Sequence, residues 1–160
     1  MDSCFLVQSL ITLNSRDQPA PDVRSIFELP GGYRRNFGDP QKQVRRVSAW
    51  ILRNHGQLYL SAMSLGDTQR GIEKLRRKKP AEALPLDGWL AQVEADYVGR
   101  ILGIRAAEAK YWAVLQAPTA RRVVDALIAA TAIVRGLTVA TRNVADFQAM
   151  GAETVNPWES

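Results

Sequence analysis

Apolar residues recur along the second half of this chain at spacings that predict alternating helices and strands. Between Val123 and Arg135 they follow a helical period, with alanines filling the gaps, which predicts an amphipathic helix. Gly136 follows where a helix C-cap glycine belongs. The segment Leu137–Thr141 is short, apolar and β-branched, as is typical of a buried strand. After a polar loop and a short helical turn, Glu153–Asn156 is predicted to form another strand, so the pattern indicates a parallel α/β sheet.

Apolar spacings of the same kind continue upstream, but they become weaker toward the amino terminus. The apolar segment Phe5–Leu13 has the composition of a strand, yet the first 40 residues show no core periodicity. We therefore expect an atypical N-terminal segment over residues 1–40 and an α/β domain over residues 41–160. Within that domain the pattern predicts helices over 44–52, 63–77, 81–97 and 106–115, and strands over 57–61 and 100–104.

Composition narrows the class of protein. The chain has 160 residues, 46% of them hydrophobic, which is enough to bury one core. No apolar run approaches the about 20 residues of a membrane span, and we expect no membrane partner. Cys4 is the single cysteine, which excludes an internal disulfide and favours a reducing compartment such as the cytoplasm. The net charge of +5 favours a polyanionic partner, nucleic acid above all, although an acidic protein would satisfy the same charge.

Three carboxylates follow predicted strands or open predicted helices. Asp67 follows the strand 57–61, Asp125 lies in the first turn of the helix 123–135, and Asp146 follows the strand 137–141, with Asn143 between. In a parallel α/β fold those positions share one sheet edge, where sites form. Oxygen donors of this kind suit Mg²⁺ or Mn²⁺, and a bound metal can activate water against a phosphodiester. On a basic protein, the arrangement points to a metal-dependent nuclease.

Each acid also has a purely structural interpretation. Ser64-x-x-Asp67 has the form of a capping box, Asn143-x-x-Asp146 could likewise cap the short helix, and Asp125 could complement a helix dipole. Other enzyme classes fit less well, since His55 is the lone histidine and no Gly-x-Ser-x-Gly accompanies it. A receiver-like signalling domain would need a lysine after a late strand, and none follows Lys110.

Three segments resemble PIN-domain ribonucleases of the VapC/FitB branch of type II toxin–antitoxin toxins. They are LYLSAMSLGDTQRGIEKLR, VVDALIAATAIVRGLTVATRNVADF and the closing NPW, and the resemblance covers roughly Val44 to Trp158. It implies a PIN-like three-layer α/β/α fold with a central parallel sheet. It also implies endonucleolytic cleavage of RNA by a metal-activated water, with Mg²⁺ or Mn²⁺ as the cofactor. A homodimer and inhibition by a cognate antitoxin protein are further implied.

The resemblance assigns roles to the same side chains. Asp67, Asp125 and Asp146 match the family's catalytic acids, and together with Asn143 they would hold the metal. Asp67 stands where the family usually has Glu, so it is one methylene shorter. The family's N-terminal Asp-Thr-Asn motif is missing, and the nearest echo begins at Asp22. We expect the first 40 or so residues to be diverged or to come from a shifted or misassigned start.

Two functions follow from these residues. The first is a metal-dependent endoribonuclease, the toxin of a type II toxin–antitoxin system. The alternative is a catalytically impaired PIN-like domain that retains antitoxin or RNA binding, because the first family Asp is not evident.

Overall fold

The computed structural model describes residues 10–12, 40–116 and 123–159, and it forms them into one sheet with helices. The strands are β1 (Leu10–Thr12), β2 (Leu58–Ser61), β3 (Ile101–Leu102), β4 (Thr138–Ala140) and β5 (Thr154–Val155). The helices are α1 (Pro40–Asn54), α2 (Ala62–Arg76), α3 (Pro80–Asp96), α4 (Ala106–Gln116), α5 (Val123–Arg135) and α6 (Val144–Gln148). A short 3₁₀ turn, His55–Gln57, joins α1 to β2.

The sheet has the order β3-β2-β1-β4-β5. The pairs β2–β3 and β4–β5 are parallel, as predicted. β1 lies between the two pairs and runs antiparallel to both neighbours, with Leu10 opposite Leu60 and Ala140. The amino end of β1 therefore lies at the edge where β2 and β4 end. A carboxylate placed directly after Thr12 would lie at the opposite edge, whereas Asp22 itself falls outside the described residues.

Alternation along the strands divides the core into two layers of packing. Leu58 and Leu60 of β2 belong to a cluster with α1 and α3, whereas Tyr59 between them packs against a second cluster with α5. β4 divides in the same way, because Val139 joins the second cluster and Ala140 the first. Helices thus cover both faces, and the predicted three-layer α/β/α architecture is confirmed. No helix in the described ranges is long and apolar enough to cross a bilayer.

The helix α5 has the bounds that its sequence predicts. Its alanine-rich face is buried, with Ala126, Ala129 and Ala132 fully enclosed, which lets the helix approach the sheet closely. At its end the Leu137 N–H donates to the Ala132 carbonyl at 2.8 Å. Gly136, with φ +64°, supplies the left-handed residue that this cap requires. The cap ends the helix and directs the chain into β4.

A buried ion pair, which the apolar periodicity does not predict, joins α5 to α4. Glu108 is 3% exposed, and its Oε1 accepts a hydrogen bond from Arg135 Nε at 2.7 Å. Its Oε2 accepts the Arg105 backbone N–H at 3.0 Å, so Glu108 caps α4 from the third helical position. Arg135 also donates to the Gly103 carbonyl at 3.0 Å. One carboxylate thus links the carboxyl end of α5 to the segment after β3. The signal in the sequence is Glu in the first turn of a helix.

Candidate functional site

Ser61 ends β2 and determines where α2 begins. Its side chain is completely buried, and its Oγ accepts the Met63 backbone N–H at 3.1 Å, as an N-cap serine does. The helix therefore starts at Ala62, and Asp67 lies in its second turn. The interpretation of Ser64 and Asp67 as a capping box in the first turn is wrong, because Ser61 already occupies the N-cap position.

The carboxylate of Asp67 is held by a neighbouring guanidinium. Its Oδ1 accepts hydrogen bonds from Arg70 Nε, at 3.1 Å, and from Arg70 Nη2. The Asp67 side chain is 17% exposed, whereas that of Arg70 is 63% exposed. A cation that coordinated Asp67 Oδ1 would have to displace the guanidinium of Arg70. The guanidinium of Arg70 is therefore engaged with this carboxylate.

Asp125 lies in the first turn of α5, where its sequence position predicts it, and is half-buried. Of its two neighbours in the chain, Ala126 belongs to the second core cluster and Val124 packs against it. Met63 of α2 packs against the same cluster, and α2 and α5 are in contact. Asp67 and Asp125 are therefore carried by two helices that touch one another.

The turn after β4 brings Asn143 and Asp146 together. Thr141 is completely buried, and its Oγ accepts the Asn143 backbone N–H at 3.0 Å. Asn143 then takes the N-cap position of α6, but its side chain makes no capping bond. Instead its Nδ2 donates to Asp146 Oδ2 at 2.6 Å. The predicted side-chain cap is therefore wrong, and these two polar groups form a pair at the surface.

The four predicted metal ligands are not all gathered in one place. Within residues 10–12, 40–116 and 123–159, no three His, Cys, Asp or Glu side chains form a group that could hold a metal ion. The donor chemistry still fits a hard cation, since all four side chains carry oxygen ligands. Mg²⁺ commonly uses one or two carboxylates and completes its shell with water. The paired Asn143 and Asp146 fit such a site, whereas Asp67 has its Oδ1 engaged by Arg70 and fits it through Oδ2.

The other arginines close in sequence to the proposed ligands, and the basic end of α2, have varied surroundings. The guanidinium of Arg142 lies over the ring of Trp158, 4.6 Å from its centroid. Arg121 and Arg122 fall outside the described residues. At the far end of α2, Arg76 pairs with Asp87 at 2.6 Å, and this hydrogen bond lowers the pKa of Asp87. The basic run Arg76–Lys79, in which α2 ends, is thus partly engaged in ion pairs.

Comparison with known proteins places this geometry in a family. The PIN domain family matches residues 36–152. The VapC ribonuclease Y4jK of Sinorhizobium fredii is 34% identical over 123 residues, which are 72% of this chain and 86% of that protein. The plasmid stability protein StbB of Pseudomonas syringae is 31% identical over 117 residues, covering 64% of this chain and 77% of StbB.

Solved structures agree with the sequence relatives. FitAcB from Neisseria gonorrhoeae superimposes with a TM-score of 0.63 and 26% identity, over 87% of this chain and 97% of that one. The structure of FitAB bound to an IR36 DNA fragment gives a TM-score of 0.54 and 25% identity, over 76% and 87% of the two chains. The family match spans α1 to the end of α6, including Asp67, Asp125, Asn143 and Asp146. The chain therefore belongs to the PIN-domain family, in its VapC/FitB-like branch.

Proposed function

We propose that this chain is a metal-dependent endoribonuclease and the toxin component of a type II toxin–antitoxin system. The observation that carries the proposal is the Asn143–Asp146 pair in the turn after β4, on a chain 34% identical to a VapC ribonuclease. Membership of the PIN-domain family over residues 36–152 supports it. The net charge of +5 suits an RNA substrate.

The site we propose consists of Asp67, Asp125 and Asp146 as catalytic acids, with Asn143 as a further ligand for Mg²⁺ or Mn²⁺. When bound, the cation supplies positive charge that lowers the pKa of water and offsets charge developing on the phosphodiester. The chain's own contribution is orientation. Asn143 holds one oxygen of Asp146, and the buried Thr141 fixes the backbone of Asn143. Burial of its neighbours in the core holds Asp125 at the start of α5.

The partners follow from the same assignment. We propose RNA as the substrate, a cognate antitoxin protein as the inhibitor, and a homodimer in the cytoplasm as the working form. The structure of FitAB bound to a DNA fragment supports the expectation that proteins with this fold work in contact with nucleic acid. The proposed acids suit a basic side chain of the antitoxin, because Asp67 already accepts hydrogen bonds from the guanidinium of Arg70.

The test compares metal binding and RNA cleavage in matched variants. Asp125→Asn removes a proposed ligand, whereas Asp96→Asn makes the same change at the end of α3, in an element that carries none of them. We expect Asp125→Asn to lose Mn²⁺ binding and RNA cleavage together while its circular dichroism spectrum stays that of the wild type. Asp96→Asn should retain both Mn²⁺ binding and RNA cleavage.

The opposite result has a clear meaning. If the folded wild-type chain neither binds Mn²⁺ nor cleaves RNA, the nuclease proposal fails. What then stands is the alternative, a PIN-like domain retained for binding. The arrangement of the described acids, in which Asp67 is engaged by Arg70 and no group of three acids forms, is the observation that favours this alternative.

A further inference from the structure

The turn that carries Asn143 is held at two points by the segment Val155–Trp158. At the first point the parallel ladder of β4 and β5 continues one residue, because the Thr141 N–H donates to the Val155 carbonyl at 3.0 Å. At the second, the Arg142 guanidinium lies 4.6 Å from the ring centroid of Trp158. Arg142 is the residue between the buried Thr141 and the polar Asn143, so the stack fixes the turn where it leaves the sheet.

The ring of Trp158 is itself anchored. Trp158 is half-buried and packs against the first core cluster, the one that contains Ala140 of β4. Its backbone N–H donates to Asn156 Oδ1 at 3.1 Å, which closes a tight turn around Pro157. Pro157 is among the fully buried side chains. The aromatic ring therefore offers Arg142 a rigid surface, and the position of Arg142 is determined by the core.

Beyond Arg142 the contacts run without a break to the proposed metal ligands. The Asn143 N–H is held by Thr141 Oγ at 3.0 Å, and Asn143 Nδ2 holds Asp146 Oδ2 at 2.6 Å. A displacement of Arg142 would pull on Asn143 directly, since the two are adjacent in the chain. Trp158 can thus affect the position of Asp146 through Arg142 and Asn143.

We propose that Trp158 is a positioning residue, which holds Asn143 and Asp146 in place through its stack with Arg142. The consequence for catalysis rests on the proposed function, whereas the consequence for the turn does not. A cation–π contact contributes about 0.5 to 2 kcal/mol, which corresponds to a roughly 2- to 30-fold change in the opening equilibrium of the turn. Trp158→Ala removes the ring, and Trp158→Phe keeps an aromatic face for Arg142.

The first readout is amide hydrogen exchange by NMR at Asn143, with Val139 of β4 as an internal reference. The Val139 N–H donates to the Glu153 carbonyl in the ladder and does not depend on the stack. We expect Trp158→Ala to speed exchange at Asn143 by about 2- to 30-fold relative to Val139. Trp158→Phe should recover most of the wild-type protection.

Trp50→Ala is the matched control. Trp50 is also half-buried and packs against the same first cluster, but it lies on α1 and its ring does not lie over Arg142. The Trp50→Ala variant should change exchange at Asn143 and Val139 by the same factor, because it lowers only the overall stability of the protein. Equal exchange at Asn143 in Trp158→Ala and wild type, or a change that Trp50→Ala reproduces, would overturn the proposal.

The second readout separates positioning from substrate binding. With RNA as substrate, Trp158→Ala should lower kcat by at most the same factor of about 30 and leave KM within about twofold, because misplaced catalytic groups slow chemistry more than binding. A KM effect alone would contradict the positioning role. If the wild-type chain cleaves no RNA, the proposed function fails, and the exchange measurement still decides whether Trp158 holds the turn.

Discussion

Replacing Arg135 with Met tests the buried ion pair that joins α5 to α4. Met keeps the length and most of the packing of the arginine side chain but leaves the Glu108 carboxylate, 3% exposed, without its guanidinium. Breaking a buried pair from one side costs about 3 to 5 kcal/mol. Arg135 is 21% exposed, so solvent already screens part of the interaction. We therefore expect a loss of about 3 kcal/mol in the free energy of unfolding at pH 7, at the lower end of that range.

The pH dependence of this loss gives a second, independent check. Burial by itself raises the pKa of Glu108, but hydrogen bonds from its own backbone, from Arg135 and from Arg105 outweigh burial and lower it. The stabilisation is therefore present above the unfolded pKa of about 4.3 and lost as pH falls through the lower folded value. Removing Arg135 takes away one of the groups that lower the pKa of Glu108, so this pKa rises and the carboxyl is protonated more readily as pH falls. The difference between variant and wild type should thus shrink between pH 7 and about pH 4.

Urea unfolding followed by circular dichroism measures both the loss in the free energy of unfolding and its dependence on pH. Lys79→Met is the control, because Lys79 pairs with Glu82 on an exposed helix end and exposed pairs of this kind contribute little. A double-mutant cycle with Glu108→Gln isolates the interaction between the two side chains. A loss under about 1 kcal/mol in Arg135→Met, or a loss that is the same at pH 7 and pH 4, would refute the reasoning.

Three further predictions concern local features. Ser61→Ala removes the cap of α2 and should lower the free energy of unfolding by about 1 kcal/mol in the same urea assay. Gly136→Ala places a side chain at φ +64° and should lower the melting temperature, whereas Gly66→Ala, a helical position with open space around it, should not. Burial raises the pKa of Tyr97 to about 12, so an absorbance titration should show one phenol ionising near that pH, absent from Tyr97→Phe. The stability that Tyr97 contributes is present below its unfolded pKa of about 10 and is lost as pH rises toward 12.

Much of the fold could be predicted from the sequence because its signals are local. The bounds of α5 follow from apolar periodicity and the glycine after it, and α2 differs from its prediction by a single residue at each end. The direction of β1 could not be predicted, since three residues carry no local signal for the orientation of their pairing. The second-turn position of Asp67 was missed because the hydroxyl of Ser61, counted as strand, starts the helix earlier.

The candidate site was predictable to the same local extent. Asn143 and Asp146 are three positions apart, so their contact follows from the first turn of a helix. Whether Asp67 and Asp125 join them depends on how α2 and α5 pack, which no short stretch of sequence encodes. The hold of Trp158 on Arg142 links two segments through the sheet, and only the structure reveals it.

The most direct test of the central claim is whether the purified chain cuts RNA internally and needs a divalent cation to do so. A circular RNA without ends serves as substrate, incubated with Mg²⁺ or Mn²⁺, with EDTA, and with EDTA followed by excess metal. We expect linear fragments with metal, none with EDTA, and renewed cleavage when metal is restored. Cleavage that persists in EDTA, or intact circles in every condition with folded protein, would contradict it.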